Sequence, residues 1–177
     1  MVNLKKVQSG RSMIEMLGVL AIVGVLSAGG IAGYSMAMQS YKTTQLIERV
    51  NLIATRTRQV YKGYYTYTHT NPENMVSSGK LSASDFENPF GGQININGSG
   101  WEDNRVLFEI QLSNLPAETC TDLLLTDWGS VGMFEGVYME SDAVRRLRYK
   151  TGNWPVEAAD AITYCASGAT KFHMVFR

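Results

Sequence analysis

Apolar and polar positions divide the chain into two unequal regimes. From Met13 to Met38 the run MIEMLGVLAIVGVLSAGGIAGYSMAM holds one ionised side chain, Glu15, while the basic residues Lys5, Lys6 and Arg11 all precede it. Wound as a helix, residues 13–38 extend about 39 Å, more than the roughly 30 Å of bilayer hydrocarbon. The run predicts a membrane helix. Past it, QSYKTTQLIERVNLIATRTRQVYKGYY has no proline and becomes one-sided. Leu46, Val50, Ile53, Thr57, Val60 and Tyr64 recur at spacings of four and three, while Lys42, Glu48, Arg49, Arg56, Arg58 and Lys62 take the polar positions. The two patterns predict one helix from Ser12 to Tyr65, about 80 Å long, apolar all round in its first half and striped in its second.

From residue 66 onward the pattern shortens. A brief helix is expected to open near Pro72 and Glu73, and Asn88-Pro89-Phe90-Gly91-Gly92 signals a turn. Ile94 and Ile96, then Val106, Phe108, Ile110 and Leu112, alternate with polar residues as the arms of an antiparallel hairpin over 93–112, its turn beginning at Asn97-Gly98. LPAETCTDLLL predicts a helix with Pro116 in its first turn and Cys120, Leu123 and Leu124 inward, ended by Gly129 and Gly132. MFEGVYME and RRLRYK read as strands, and VEAADAI as a helical turn leading to Cys165. KFHMVFR places Phe172, Met174 and Phe176 on one side, as an edge-to-core strand does. The fold class expected is α+β, a long N-terminal helix packed on an antiparallel sheet with a disulfide-bounded C-terminal region. Residues 66–177 suffice for a single domain with a core. The tyrosines in YKGYYTYTH roof the sheet or flank the helix end, with a surface contact as the other reading.

The N-terminal layout resembles that of the type IV pilins and pseudopilins. That family has a short basic leader, a glycine at a cut site, a glutamate five residues into the mature chain and an apolar helix directly after it. Gly10 matches the residue before the cut, Arg11 the new N-terminus and Glu15 the fifth mature residue. Arg11 departs from the apolar residue usual there. The resemblance continues through NPFGG, the hairpin, LPAETCTDLL and a late cysteine before a terminal strand, which look like the type IVb pilins: the toxin-coregulated, bundle-forming and conjugative thin-pilus subunits. It implies the pilin fold and a division into a leader (1–10), a transmembrane and assembly half-helix (11–38), an amphipathic half-helix (39–65) and a globular head (66–177). It further implies cleavage between Gly10 and Arg11 by a prepilin peptidase, N-methylation at Arg11 and assembly through Glu15. Its implied partners are identical subunits, the inner-membrane assembly machinery and, before assembly, the lipid bilayer. The precursor is expected in the bacterial inner membrane and the product in an extracellular pilus serving adhesion, aggregation, conjugation or motility. A pseudopilin of a secretion machine and a membrane-anchored periplasmic binding domain are the alternatives.

Electrostatics supports the same reading independently. A carboxylate at the threshold of an apolar run costs several kcal/mol unless it finds a partner or an interface. A cut after Gly10 creates an ammonium on Arg11, and in packed copies Glu15 of one chain can pair with that ammonium on its neighbour. The other reading has Glu15 snorkelling at the headgroups. An ordinary secretory signal, cut near Ser27-Ala28-Gly29, is a rival; the charge at Glu15 and the apolar run onward to Met38 oppose it. Gly18, Gly24, Gly29, Gly30 and Gly33 each cost the helix about 1 kcal/mol relative to alanine. They allow close helix packing, or, at Gly29-Gly30, local bending or melting.

Composition narrows the function further. The formal charge is zero, and without Lys5 and Lys6 the chain holds 14 basic against 16 acidic residues, so there is no electrostatic footprint for nucleic acid. The two cysteines, Cys120 and Cys165, fall in the part placed outside the cytoplasm and are expected to pair. Their bridge closes a loop worth about 4 kcal/mol in the chain-entropy model. His69 and His173 are isolated and expected at the surface or an edge; no cofactor, metal or catalytic constellation is expected. Glu102, Asp103, Glu140 and Asp142 do not match a calcium loop. Asn97-Gly98-Ser99 fits a glycosylation acceptor, a pattern too short to weigh much.

Overall fold

A computed structural model of the chain describes residues 13–64, 66–98, 107–128, 134–140, 147–150, 154–166 and 169–177. They belong to two compact units, Met1–Tyr41 and Lys42–Arg177. Helix α1 (Met13–Val60) starts in the first and ends in the second. Glu15 sits in its first turn and Arg58 in its last, the ends at which an acid and a base respectively suit the helix dipole.

In the second unit the predicted stripe is buried as far as Thr57: Thr43, Leu46, Val50, Ile53, Ala54 and Thr57 are inside, while Val60 is half-buried and Tyr64 is exposed. The two threonines are satisfied there. Thr57 Oγ1 donates to the Ile53 carbonyl at 2.7 Å, and Thr43 and Thr119 hydroxyls meet at 3.2 Å. The helix stops short of the expected Tyr65, which lies outside the described residues. The Tyr61 N–H still reaches the Thr57 carbonyl at 3.0 Å, but Gly63 adopts φ 93° and the Tyr64 N–H turns back to the Tyr61 carbonyl. A left-handed glycine just past the last turn is a common helix stop.

After α1 come α2 (Pro72–Ser77), capped by the Asn71 side chain accepting from the Asn74 N–H at 2.7 Å, and a 3-10 turn (Ala83–Phe86). The strands are β1 (Ile94–Gly98), β2 (Phe108–Leu115), β3 (Phe134–Glu140), β4 (Leu147–Lys150) and β5 (Ala169–Phe176). Helix α3 (Ala117–Leu125) follows β2, and α4 (Ala158–Cys165) precedes β5. All pairings are antiparallel, in the order β1-β2-β5-β3-β4. Ile94 pairs with Leu112 and Ile96 with Ile110, so the alternation seen in both segments lands on one buried face. That face joins Phe172, Met174 and Phe176 of β5, Val137 and Met139 of β3, and the α1 stripe in one core.

Three further details depart from expectation. Asn97 and Gly98 do not turn; they pair with Glu109 and Phe108 inside the ladder, and the connection at 99–106, including Val106, Glu102 and Asp103, lies outside the described residues. Gly98 serves a different purpose: the Tyr67 carbonyl approaches so closely that a Cβ has no room. Helix α3 ends at Leu125, where the Thr126 N–H and hydroxyl both donate to the Asp122 carbonyl; Gly129 and Gly132 lie beyond the described residues. Finally, β5 is the middle strand, bonded to β2 and β3 on its two sides. His173 is therefore buried, 6% exposed, and is neither a surface nor an edge residue.

The turn at 88–92 is held by its own residues. The Gly91 N–H donates to the Asn88 carbonyl at 2.9 Å, and the Asn88 side chain donates to the Ser113 carbonyl on β2 at 2.6 Å. Gly92 lies directly against that Ser113 carbonyl, where a Cβ cannot fit. Here glycine is required by close approach.

Candidate assembly segment and disulfide-closed head

In the first unit every described residue from Met13 to Ala37 is exposed. Leu17 is 65%, Val25 74% and Ile31 71% exposed, and α1 is long and apolar enough over this part to cross a membrane. Water tolerates no apolar surface of that extent, so lipid or other protein must cover it. A Cβ at Gly18, Gly24, Gly29, Gly30 or Gly33 meets nothing within 4 Å. Among the described residues nothing requires these glycines, and α1 passes through Gly29 and Gly30 unbroken. Glu15 is exposed at the start of this surface, while Gly10 and Arg11 fall outside the described residues.

In the second unit Cys120 of α3 and Cys165 of α4 form a disulfide, with Cα atoms 5.7 Å apart. The bridge joins two helices rather than fastening a strand directly. Helix α3 leaves β2 at Leu115 and α4 enters β5 at Ala169, and these two residues are partners in the β2–β5 ladder. The cross-link thus closes the end of that ladder around a loop of 45 residues containing β3 and β4. Packing beneath it is dense: Trp128 is fully buried with its indole N–H on the Leu123 carbonyl at 2.9 Å, and the Trp154 indole donates to the Thr126 carbonyl at 2.9 Å.

The opposite face of the sheet carries a polar cluster that sequence reasoning did not find. Tyr138 donates its hydroxyl to Glu109, and its ring stacks on His173 with centroids 4.1 Å apart. His173 Nδ1 lies 3.8 Å from Glu109 Oε1, too far for a hydrogen bond; neither ring nitrogen has a hydrogen-bond partner among the described residues. Burial pushes the Glu109 carboxyl up, His173 and the Tyr138 hydroxyl pull it down, and the balance leaves it below the ordinary glutamate value. The alternation Phe172-His173-Met174 signalled that His173 faces away from the main core. Only the strand order explains why that face is covered.

At the end of α1 the tyrosines pack as a braced group. Tyr67 lies on Phe108 with centroids 4.9 Å apart, Tyr61 on Tyr67 at 5.4 Å and Tyr64 on Tyr61 at 6.0 Å. Burial raises the Tyr67 pKa, partly offset by the Arg58 guanidinium beside it.

An exposed apolar helix joined in sequence to a disulfide-closed antiparallel sheet defines the type IV pilin class. The crystal structure of TcpA, a type IV pilin from Vibrio cholerae El Tor biotype, has the same fold: TM-score 0.52 at 19% identity, covering 77% of this chain and 98% of that one. The chain belongs to the family described as PilS N terminal, matched over residues 40–176, and so to the type IVb pilins. It is 30% identical to the toxin coregulated pilin of Vibrio cholerae over 128 residues, 66% of this chain and 57% of that protein. It is also 25% identical to the major structural subunit of the bundle-forming pilus of Escherichia coli O111:H- over 174 residues, 89% of each. The chain thus spans a little over half the length of the first relative and most of the second. These relatives are structural subunits, not enzymes.

Proposed function

We propose that this chain is the precursor of a pilus structural subunit, polymerised through α1 into a surface filament. The observation that carries this is the apolar half of α1, exposed from Met13 to Ala37 and punctuated by five glycines that no described residue approaches. Such a surface suits lipid first and a bundle of identical helices later. Residues 1–10 are the leader, removed after Gly10 by a prepilin peptidase, with Arg11 the new and N-methylated terminus. Residues 11–38 hold the precursor in the inner membrane, and residues 39–65 continue the assembly helix into the core of the head, 66–177. Glu15 of each subunit then pairs with the Arg11 ammonium of a neighbour during assembly by the inner-membrane machinery.

The test is immunogold imaging of native cells with an antibody to the head. Extracellular filaments decorated along their length support the reading. Label confined to the periplasm overturns it in favour of a pseudopilin or an anchored periplasmic domain.

A further inference from the structure

The end of α1 and the chain leaving it enclose an open groove of about 440 Å³, within the usual range of small-molecule sites, roughly 300–1,000 Å³. Arg58 and Lys62 supply two cations, Tyr61, Tyr64 and Tyr67 supply aromatic faces, and Gln59 stands among them. Among the described residues no carboxylate lines the groove, and neither cation is in an ion pair. The rings are held in place by one another and, through Tyr67, by the core ring of Phe108. Yet Tyr64 is 72% exposed, an outstanding aromatic face of the kind that gains most when something covers it. The Gln59 carbonyl oxygen already accepts from Arg56 Nη1 at 3.1 Å, which turns its amide nitrogen into the available donor.

We propose that this groove binds a carboxylated sugar, the acidic terminal residue of a glycan. Arg58 and Lys62 take the carboxylate, the apolar C–H face of the pyranose lies on Tyr64 and Tyr61, and the Gln59 amide donates to a ring hydroxyl. The combination is specific: a neutral sugar leaves both cations without a counter-ion, and a small inorganic anion leaves Tyr64 uncovered. A nucleic-acid strand fits less well, because its affinity grows with the number of phosphates neutralised, the groove offers two cations, and the chain as a whole has no net positive charge. The groove lies entirely in the second unit, so this proposal goes beyond filament formation and stands or falls separately from it.

Saturation-transfer NMR on the full chain in detergent micelles tests it, with 3′-sialyllactose as the ligand and lactose as the neutral control. Transfer is expected to the protons of the acidic ring and not to lactose. Lys62→Gln, at an exposed position, is expected to weaken binding about tenfold, the scale of one charge-assisted contact. Tyr64→Ala is expected to lose the ring-proton transfer while circular dichroism stays unchanged. Equal transfer to lactose, wild-type binding by Lys62→Gln, or no transfer from the wild-type chain overturns the proposal. None of these results depends on whether the chain polymerises.

Discussion

Removing the Cys120–Cys165 bridge measures how much of the head depends on that one covalent link. The closed loop is 45 residues, for which the chain-entropy relation gives about 4 kcal/mol at 25 °C. That is a large share of the roughly 5–15 kcal/mol that holds a typical domain together. The region most affected should be α3 and α4, since the bridge joins them directly and β4 beyond is an edge strand. The assay is urea unfolding of the full chain in detergent, followed by tryptophan fluorescence, because Trp128 is fully buried beside α3 and bonded to it. With a urea slope of about 1–3 kcal/mol per molar, the Cys120→Ser, Cys165→Ser double variant should unfold about 1.3–4 M earlier than the oxidised chain. Reduced wild type should match the variant, which separates loss of the bridge from loss of sulfur packing. A shift below about 0.5 M would refute the reasoning, since the unfolded chain would then gain almost no freedom when the loop is opened.

Other consequences follow from single contacts. Gly92→Ala should destabilise the head by about 1–3 kcal/mol in the same urea titration, because its Cβ meets the Ser113 backbone carbonyl. Gly24→Ala, whose Cβ meets no described residue, should leave that titration unchanged and alter only filament yield. The Glu109 carboxyl lies below its ordinary value of 4.5 in the fold, so it contributes stability above that pH and loses it as the pH falls through the folded pKa. Glu109→Gln should remove this part of the acid limb of a pH–stability curve; an identical limb in wild type and variant would contradict the assignment. Glu15→Ala should leave leader removal intact and sharply reduce filament mass recovered by shearing, whereas normal yield counts against the proposed pairing with Arg11.

Much of this architecture was readable from residue order because its signals are local. The one-sided recurrence of Leu46, Val50, Ile53 and Thr57 marked the face of α1 that is buried, and the alternation around Ile94, Ile96, Ile110 and Leu112 marked the paired faces of β1 and β2. The two cysteines had one possible pairing, and it is formed. What could not be read was long-range. No local pattern says that the last strand enters between β2 and β3, so the burial of His173 and its contacts with Glu109 and Tyr138 were missed. Likewise Asn97-Gly98 carries a strong turn signal, but here glycine answers to the Tyr67 backbone rather than to a reversal of the chain. The glycines of the apolar half of α1 form a third case: their pattern was plain, while no described residue approaches them.

The central claim is that a membrane-held precursor becomes a filament subunit by losing its first ten residues. Filaments sheared from native cells, digested and analysed by mass spectrometry for their N-terminal peptide, test it most directly. The account predicts a peptide of this chain beginning at Arg11, with the mass of a methyl group added. Filaments containing the chain with residues 1–10 still attached would contradict it.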